Sequence, residues 1–152
     1  MHPGELGKAL SGKAARVIAC AAMAKITGTG IDAIEIGRIK EAIEHPRTGE
    51  RFRARVFTPA EVAYCESRQR VKYQSYAARF AAKEATMKAL GTGWNRNVGW
   101  NEIEVRRERG RAPQITLLGK AARFARNLGV KRLHLSLTHS SKDAIAHVIA
   151  ET

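Results

Sequence analysis

The feature that most constrains the fold of this chain is residues 79–93, an alanine-rich segment that ends at a glycine pair. Within it, Glu84 and Lys88 are spaced i and i+4, so their side chains share one face of a helix. The apolar residues that would bury such a helix are Phe80, Ala81, Ala85, Met87 and Leu90. The segment predicts a packed helix whose charged pair can hold a metal ion and a phosphate together. The same spacing is also typical of a solvated surface pair, so the rest of the chain must decide.

The length and net charge of the chain limit its domain organisation and the kind of partner it can bind. The chain has 152 residues, about one domain, and no repeat or linker divides it. Its 27 Lys+Arg against 14 Asp+Glu leave a net charge of +13, which favours an anionic partner. Nucleic acid, a phosphorylated small molecule, an acidic protein and an anionic membrane would all fit that charge. The choice among them therefore depends on local motifs.

The two cysteines and the hydropathy indicate where the protein acts. Cys20 and Cys65 lack CxxC spacing and a nearby histidine cluster, so we expect reduced thiols in a cytoplasmic protein. No apolar run approaches the length of a membrane span, and we expect no membrane partner.

Residues 1–25 are predicted to be an N-terminal extension, separate from a domain over residues 26–152. The apolar run over residues 17–24 is short and weakly hydrophobic, which argues against a signal peptide. A short amphipathic segment or an upstream start codon is the preferred interpretation, because Met23 would itself make a natural beginning.

The apolar and turn patterns predict a single α+β domain in which an antiparallel sheet packs against a long central helix. In the first half of the chain they predict a strand over 26–36, a helix through 39–43 that ends before Pro46, and a turn-like basic segment over 45–56. Two helices follow, one from the capping box of Thr58 and Glu61 to about Ser67 and one over 75–90 that is capped by Gly91. The second half is predicted to contain strands around 103–105 and 115–117, a basic helix over 121–128, and a hairpin of strands 133–137 and 144–150.

One glycine motif suggests a competing function. Gly28, Gly30 and Ala33 match the G-x-G-x-x-A form of a dinucleotide-binding fingerprint. That fold needs a second buried strand ending in an acidic residue about 20 positions on. The corresponding region around Glu50 is polar and rich in arginine, so we reject this interpretation.

Four polar residues remain as candidates for a reaction centre: Asp32 after the first strand, Glu84 and Lys88 on the long helix, and His139 after the leucine-rich strand. Two carboxylates on rigid elements can share one Mg²⁺, which takes few protein ligands and leaves positions for water and phosphates. This pattern indicates phosphoryl transfer. The simpler alternatives are a helix N-cap for Asp32 and a turn residue for His139.

Several motifs, in the same order and spacing, resemble those of the holo-acyl-carrier-protein synthase family of 4′-phosphopantetheinyl transferases. They are Gly28-x-Gly-Ile-Asp32, Arg79-Phe-Ala-x-Lys-Glu84-Ala-x-x-Lys88-Ala, Gly91-Thr-Gly93, and Ser136-Leu-Thr-His139 followed by Ala144-x-Ala146-x-Val148. The resemblance runs from about Ile26 to Glu151. The segment before Ile26 is the one clear oddity.

The resemblance implies a reaction and its residues. Coenzyme A would donate its phosphopantetheine arm to a serine of acyl carrier protein, releasing adenosine 3′,5′-bisphosphate. Asp32 and Glu84 would hold Mg²⁺, and Lys88 would stabilise the phosphate oxygens or the leaving group. Either Glu84 or a metal-bound water would accept the serine proton. The implied contacts to coenzyme A are Arg79, Lys83, Lys88, Gly91, Pro113 and His139.

The resemblance also gives the positive charge a partner, because acyl carrier proteins are acidic. Its docking positions correspond to Arg38, Arg51, Phe52 and Arg55. The family forms trimers with coenzyme A between subunits, so a homotrimer is implied. A nucleic-acid-binding module is the rival from another class, but the chain lacks a stacking platform or a zinc-finger or helix-turn-helix signature, and we expect no nucleic-acid partner.

Overall fold

The structure, a computed structural model, describes residues 24–93 and 97–152. Most of the predicted N-terminal extension, including Cys20, lies outside the described residues. The described elements are β1 (Ile26–Glu35), α1 (Ile36–Glu44), α2 (Gly49–Val56), α3 (Pro59–Ser67), a 3₁₀ turn (Gln69–Val71), α4 (Lys72–Ala89), a second 3₁₀ turn (Trp100–Glu102), β2 (Ile103–Arg106), β3 (Gln114–Leu117), α5 (Gly119–Asn127), β4 (Arg132–His139) and β5 (Asp143–Glu151).

The strands form two antiparallel sheets, which confirms the α+β class. One sheet has the order β1–β5–β4, and the other pairs β2 with β3. The predicted hairpin of β4 and β5 is present, with His139 opposite Ala144. Among the residues that the structure describes, we find no helix with the length and hydropathy that a bilayer crossing requires.

Helix α4 is the predicted central helix, and small side chains bury it against the three-stranded sheet. Ala81, Ala85 and Ala89 lie in one core cluster with residues of β5. The helix begins at Lys72, three residues before the predicted start. It ends at Ala89 and is capped as predicted by Gly91, whose φ of +70° belongs to the left-handed region that glycine favours. Gly91 N donates to Lys88 O at 3.0 Å and Thr92 N to Met87 O at 3.1 Å, the bonding of a Schellman cap.

The glycines of β1 allow the strand to approach α4 more closely than any side chain would permit. A Cβ added at Gly30 would lie 2.7 Å from Ala89 N and 2.8 Å from Lys88 Cβ, and one at Gly28 would overlap Ala89 O. Alternate strand residues share a face, so Asp32 follows these glycines on the side of the helix. The two glycines of the G-x-G motif therefore allow the strand to lie against the helix. The strand next to β1 is the antiparallel β5, whereas a dinucleotide-binding Rossmann fold would place a parallel strand there.

The capping box that predicted α3 is confirmed. Glu61 N donates to Thr58 Oγ1 at 3.3 Å, and Thr58 N donates to Glu61 Oε2 at 2.9 Å. Pro59 occupies the first turn, as expected.

The prediction of a turn-like segment over residues 45–56 is wrong for its last two thirds, which form helix α2. Gly49 and Val56 are buried and Phe52 is partly buried, which gives a narrow apolar stripe at i, i+3 and i+7. A Cβ at Gly49 would overlap Ile43 O, so α2 begins pressed against the end of α1. The surrounding arginines hid this stripe in the sequence.

The close approach of β1 to α4 predicts that Gly30→Ala destabilises the fold. Its methyl group meets backbone atoms that cannot move without shifting the helix, so we expect a loss of about 1–3 kcal/mol in the free energy of unfolding. The control is Gly37→Ala in α1, where a Cβ meets nothing within 4 Å. That variant should gain roughly 0.5–1 kcal/mol, since alanine is the better helix former. Equal effects of the two substitutions in urea unfolding would contradict the steric account.

Candidate active site

The structure brings Asp32 of β1 together with Glu84 and Lys88 of α4. Lys88 Nζ donates to Asp32 Oδ1 at 2.9 Å and to Ile31 O at 2.8 Å. The side chain of Asp32 is 16% exposed and that of Lys88 is 47% exposed, so the pair lies at the surface of the protein. The lysine thus bridges the strand and the helix rather than extending into solvent.

Glu84 lies half-buried beside this pair, and its electrostatic environment is unfavourable. Burial raises the pKa of the Glu84 carboxyl above its ordinary value, and the negative charge of Asp32 raises that pKa further. The ammonium of Lys88 opposes this shift without cancelling it. Two carboxylates that disfavour each other's charge form a site that a bound cation would stabilise.

The donor set fits a hard divalent cation. Within residues 24–93 and 97–152 there is no group of three or more His, Cys, Asp or Glu side chains that could hold a metal ion. The pair of Asp32 and Glu84 offers two carboxylates to such a cation. Mg²⁺ commonly binds proteins through one or two carboxylates and keeps its remaining positions for water and substrate phosphates.

A second site, which we call the basic cleft, contains three of the predicted coenzyme A contacts. It has a volume of about 440 Å³ and is lined by Arg79, Pro113 and His139, together with Arg68, Arg107 and others. The guanidinium of Arg79 stacks over the Tyr64 ring at 4.0 Å, and its Nη1 donates to Ser75 O at 3.3 Å. Its buried Nε has no hydrogen-bond partner.

Sequence reasoning did not single out Arg68, Arg107 or Tyr64 as site residues. In a chain with 27 lysines and arginines, two more basic residues carry no distinguishing pattern. Only their positions along the chain could have indicated a role, because Arg107 flanks the predicted turn before Pro113 and Tyr64 lies on the capped helix α3. Only the packing of α3 against α4 places Tyr64 under the guanidinium of Arg79.

The carboxylate pair and the basic cleft lie on different sides of α4. Arg79 and Glu84 are five positions apart, which corresponds to roughly 140° around a helix axis. None of Asp32, Glu84 and Lys88 lines the cleft. A ligand that uses both sites must therefore pass around the helix or lie between two copies of the chain.

Lys83 is placed differently from the contact that the resemblance implies. Its side chain and that of Glu61 are both 0% exposed, and Lys83 Nζ lies 2.7 Å from Glu61 Oε2. The same ammonium donates to Trp100 O at 2.9 Å. Burial lowers the pKa of Lys83, while the charge of Glu61 opposes that shift. This position inside the core does not support direct contact with coenzyme A.

All four predicted docking residues line one groove, which we call the docking groove. Its volume is about 480 Å³, and its walls come from α1 and α2, with Arg38, Arg51, Phe52 and Arg55 among the lining residues. The Phe52 ring also lies 6.4 Å from the Phe80 ring and 6.3 Å from the Phe57 ring. Phe52 therefore connects the groove to the aromatic part of the core.

Comparisons with known proteins agree with this geometry. Residues 28–146 match the model of the 4′-phosphopantetheinyl transferase superfamily. A holo-[acyl-carrier-protein] synthase of Solibacter usitatus is 51% identical over 126 residues, covering 83% of this chain and 98% of the relative.

Solved structures lead to the same group of proteins. The Helicobacter pylori synthase in complex with coenzyme A has a TM-score of 0.70 at 30% identity, covering 80% of this chain and 98% of that one. The Bacillus anthracis synthase in complex with CoA (3′,5′-ADP) has a TM-score of 0.67 at 32% identity, covering 84% and 97%.

The chain therefore belongs to the 4′-phosphopantetheinyl transferase superfamily. Within that superfamily it groups with the holo-[acyl-carrier-protein] synthases, so the resemblance of its motifs is confirmed and it is an enzyme of this type.

The buried ion pair predicts an asymmetry between single and double substitutions. Lys83→Met leaves the Glu61 carboxylate buried without its cation, and we expect the free energy of unfolding to fall by about 3–5 kcal/mol. The double variant Glu61→Gln/Lys83→Met removes both charges and keeps a side-chain oxygen that can accept from Val105 N or Thr58 N, so part of this loss should be recovered. Urea unfolding followed by circular dichroism measures both. If the double variant is no more stable than Lys83→Met, the unpaired charge of Glu61 is not the cause of the lost stability.

Proposed function

We propose that this chain transfers the 4′-phosphopantetheine arm of coenzyme A to a serine of apo-acyl carrier protein and releases adenosine 3′,5′-bisphosphate with the help of Mg²⁺. The observation that carries the proposal is the meeting of Asp32, Glu84 and Lys88 in a chain of this superfamily. The ligands of the Helicobacter pylori and Bacillus anthracis synthases support the donor and the product.

In the proposed reaction the serine oxygen attacks the phosphorus that carries the pantetheine arm. The bond from that phosphorus to the leaving adenosine bisphosphate breaks, and negative charge grows on the leaving oxygen. Asp32 and Glu84 would hold Mg²⁺, which supplies neutralising charge at the diphosphate. The like-charge strain at Glu84 supports this assignment, since a cation between the two carboxylates relieves it.

Lys88 is proposed to stabilise the phosphate oxygens or the leaving group. An ammonium has three N–H donors, and two of those on Lys88 bind Asp32 Oδ1 and Ile31 O. The third remains for a phosphate oxygen. The two protein bonds hold the ammonium in place before substrate arrives, which is the preorganisation that electrostatic catalysis requires.

The serine proton has two candidate acceptors. The raised pKa of Glu84 makes this carboxylate a better base than an ordinary glutamate. A water on the metal is the other candidate. Both acceptors lie at the same carboxylate pair, so the proposal for the site is the same in either case.

The proposed coenzyme A contacts are divided between the two sites. Lys88 and Gly91 lie at the end of α4 beside the carboxylates, while Arg79, Pro113 and His139 line the basic cleft. The positive charge of Arg79 at the wall of the cleft supports an anionic ligand there. Arg68 and Arg107 add to the positive charge of the cleft. Lys83 is left out of this set because its ammonium is used within the core.

The separation of the carboxylate pair from the basic cleft also supports the proposed homotrimer. If a neighbouring copy supplies the basic cleft, the carboxylates and the cleft can enclose one coenzyme A without passing it around α4. Ile26 and Ile31 of β1 are 70% and 62% exposed, so this strand carries apolar surface that a neighbour could cover.

The docking groove is proposed to receive the acidic acyl carrier protein. Arg38, Arg51 and Arg55 would attract its acidic helix, and the half-buried Phe52 would supply an apolar anchor. We propose that the reaction takes place in the cytoplasm, where coenzyme A and the apo-acyl carrier protein of fatty acid biosynthesis would both be available.

The direct test is incubation with coenzyme A, Mg²⁺ and an apo-acyl carrier protein. We expect intact-mass measurement to show the carrier gaining the mass of one phosphopantetheine group. A carrier whose acceptor serine is replaced by alanine is the control and should gain nothing. An unmodified wild-type carrier would contradict the proposed activity.

Glu84→Gln separates the catalytic cost from the stability cost of this carboxylate. Transfer should fall by roughly 100-fold or more, since a neutral amide is a poor metal ligand. A carboxyl whose pKa is raised by folding destabilises the fold at pH values above that pKa. The metal-free variant should therefore melt at a higher temperature than wild type at neutral pH, and this gain should vanish as the pH falls below the ordinary glutamate pKa.

The control for this variant is Glu108→Gln, at an exposed ion pair on the β2–β3 connection. It should change neither transfer nor the melting temperature appreciably. Near-normal transfer by Glu84→Gln would remove Glu84 from the site.

The homotrimer predicts complementation between inactive variants. Glu84→Gln damages the carboxylate site and Arg79→Gln the basic cleft, so mixed trimers would contain some active sites with both parts intact. We expect analytical ultracentrifugation to give three times the chain mass and the co-refolded mixture to regain part of the wild-type activity. A monomer, or a trimer without recovered activity although each variant folds, would contradict the shared site.

A further inference from the structure

The buried pair of Glu61 and Lys83 joins four elements at one point. Glu61 Oε1 accepts from Val105 N at 2.8 Å, and its Oε2 accepts from Thr58 N at 2.9 Å. With the bonds from Lys83 to Glu61 and to Trp100 O, the pair connects the start of α3, strand β2, the 3₁₀ turn before β2 and helix α4. Both charged groups are satisfied by directional bonds.

The part of α4 that packs against the sheet is made of small side chains. Ala81, Ala85 and Ala89 pack with apolar residues of β5 such as Val148, and Ala85 and Ala89 lie against the glycines of β1. Small side chains permit a close approach, and directional bonds from other faces of the helix add to the contacts that fix its rotation. Lys88 makes such bonds to β1 near the end of α4, and the buried Glu61–Lys83 pair makes them to α3 and β2. Setting register is the best-attested use of buried ion pairs.

The position of Lys83 relates this pair to the carboxylate site. Lys83 directly precedes Glu84, and neighbouring helix residues point roughly 100° apart. When Lys83 is held by Glu61 and Trp100, the direction of Glu84 is determined as well. Lys88, one turn beyond Glu84 on the same face of the helix, is bonded to Asp32 Oδ1 at 2.9 Å, so this face of α4 lies towards Asp32.

We propose that the Glu61–Lys83 ion pair is a positioning device that sets the rotation of α4, so that Glu84 and Asp32 lie at a separation one divalent cation can bridge. The inference rests on the proposed function, in which these two carboxylates hold the metal. Lys83 then serves the reaction through Glu84, without touching coenzyme A.

The test measures metal binding in the absence of both substrates. Mn²⁺ is titrated into wild type and into Glu61→Gln/Lys83→Met, and free Mn²⁺ is followed by electron paramagnetic resonance. We expect the double variant to fold and to bind Mn²⁺ roughly tenfold or more weakly, as losses of supporting residues around metal sites commonly do. In transfer assays the Mg²⁺ concentration for half-maximal rate should rise in parallel, while KM for the carrier keeps its wild-type value.

The matched control is Cys65→Ala, which removes a buried thiol from α3, the helix that carries Glu61, and leaves the hydrogen bonds of Glu61 and Lys83 in place. It lowers stability by forming a cavity and should bind Mn²⁺ as wild type does. If the double variant does not fold, Lys83→Gln replaces it, because a glutamine is too short to reach both partners of Lys83. The same loss of Mn²⁺ affinity is then expected.

The outcomes separate this inference from the proposed function. Wild-type Mn²⁺ affinity in the folded double variant, or in a folded Lys83→Gln, would overturn the positioning role and leave the metal site standing. Equal losses in Cys65→Ala and the double variant would also overturn it, because general destabilisation would then explain both. If wild type itself binds no Mn²⁺, the proposed metal site fails and the positioning role fails with it.

Discussion

The close approach of β1 to α4 is the constraint on which the rest of the structure depends. Gly28 and Gly30 bring the strand backbone against the backbone of the helix. This contact places Asp32 beside Glu84 and Lys88, which lie 52 and 56 positions away along the chain. A side chain at either glycine would push the two elements apart. The local sequence of one strand therefore determines how closely Asp32 approaches Glu84 and Lys88.

The electrostatic environment of the site is unfavourable for the charge of Glu84. Burial and the charge of Asp32 both oppose ionisation of Glu84, whereas Lys88 supports it. An ionised Glu84 is therefore unfavourable for folding, and such groups are typical of places where function determines the residues. Stability comes from elsewhere, including the alanine contacts of α4 and the satisfied hydrogen bonds of the Glu61–Lys83 pair.

The sequence was most informative where one local mechanism decides the structure. The capping box at Thr58 and the left-handed cap at Gly91 were both predicted from residue type and spacing, because each depends on a few neighbouring residues. The arginine-rich helix α2 was missed, because its narrow apolar stripe becomes evident only when α1 lies against it. Arg68 and Arg107 were missed for a similar reason, since three-dimensional packing selects them from many basic residues.

Lys83 shows the limit of reasoning from a motif. It adjoins Glu84 in the sequence and was predicted to contact coenzyme A, yet its side chain lies fully buried against Glu61. Glu61 is 22 positions away, on a different helix, and its carboxylate had been read only as part of a capping box. The same carboxylate caps α3, accepts from β2 and pairs with α4, and no linear pattern reveals this combination of roles.

The central claim is that Asp32 and Glu84 jointly bind the cation used in phosphopantetheine transfer. A crystal structure with Mn²⁺ and coenzyme A, analysed by anomalous diffraction at the manganese edge, tests this claim most directly. The account predicts one anomalous peak between the two carboxylates, within coordination distance of both and of the coenzyme A diphosphate. A peak on other residues, or coenzyme A bound with its diphosphate away from Asp32 and Glu84, would contradict it.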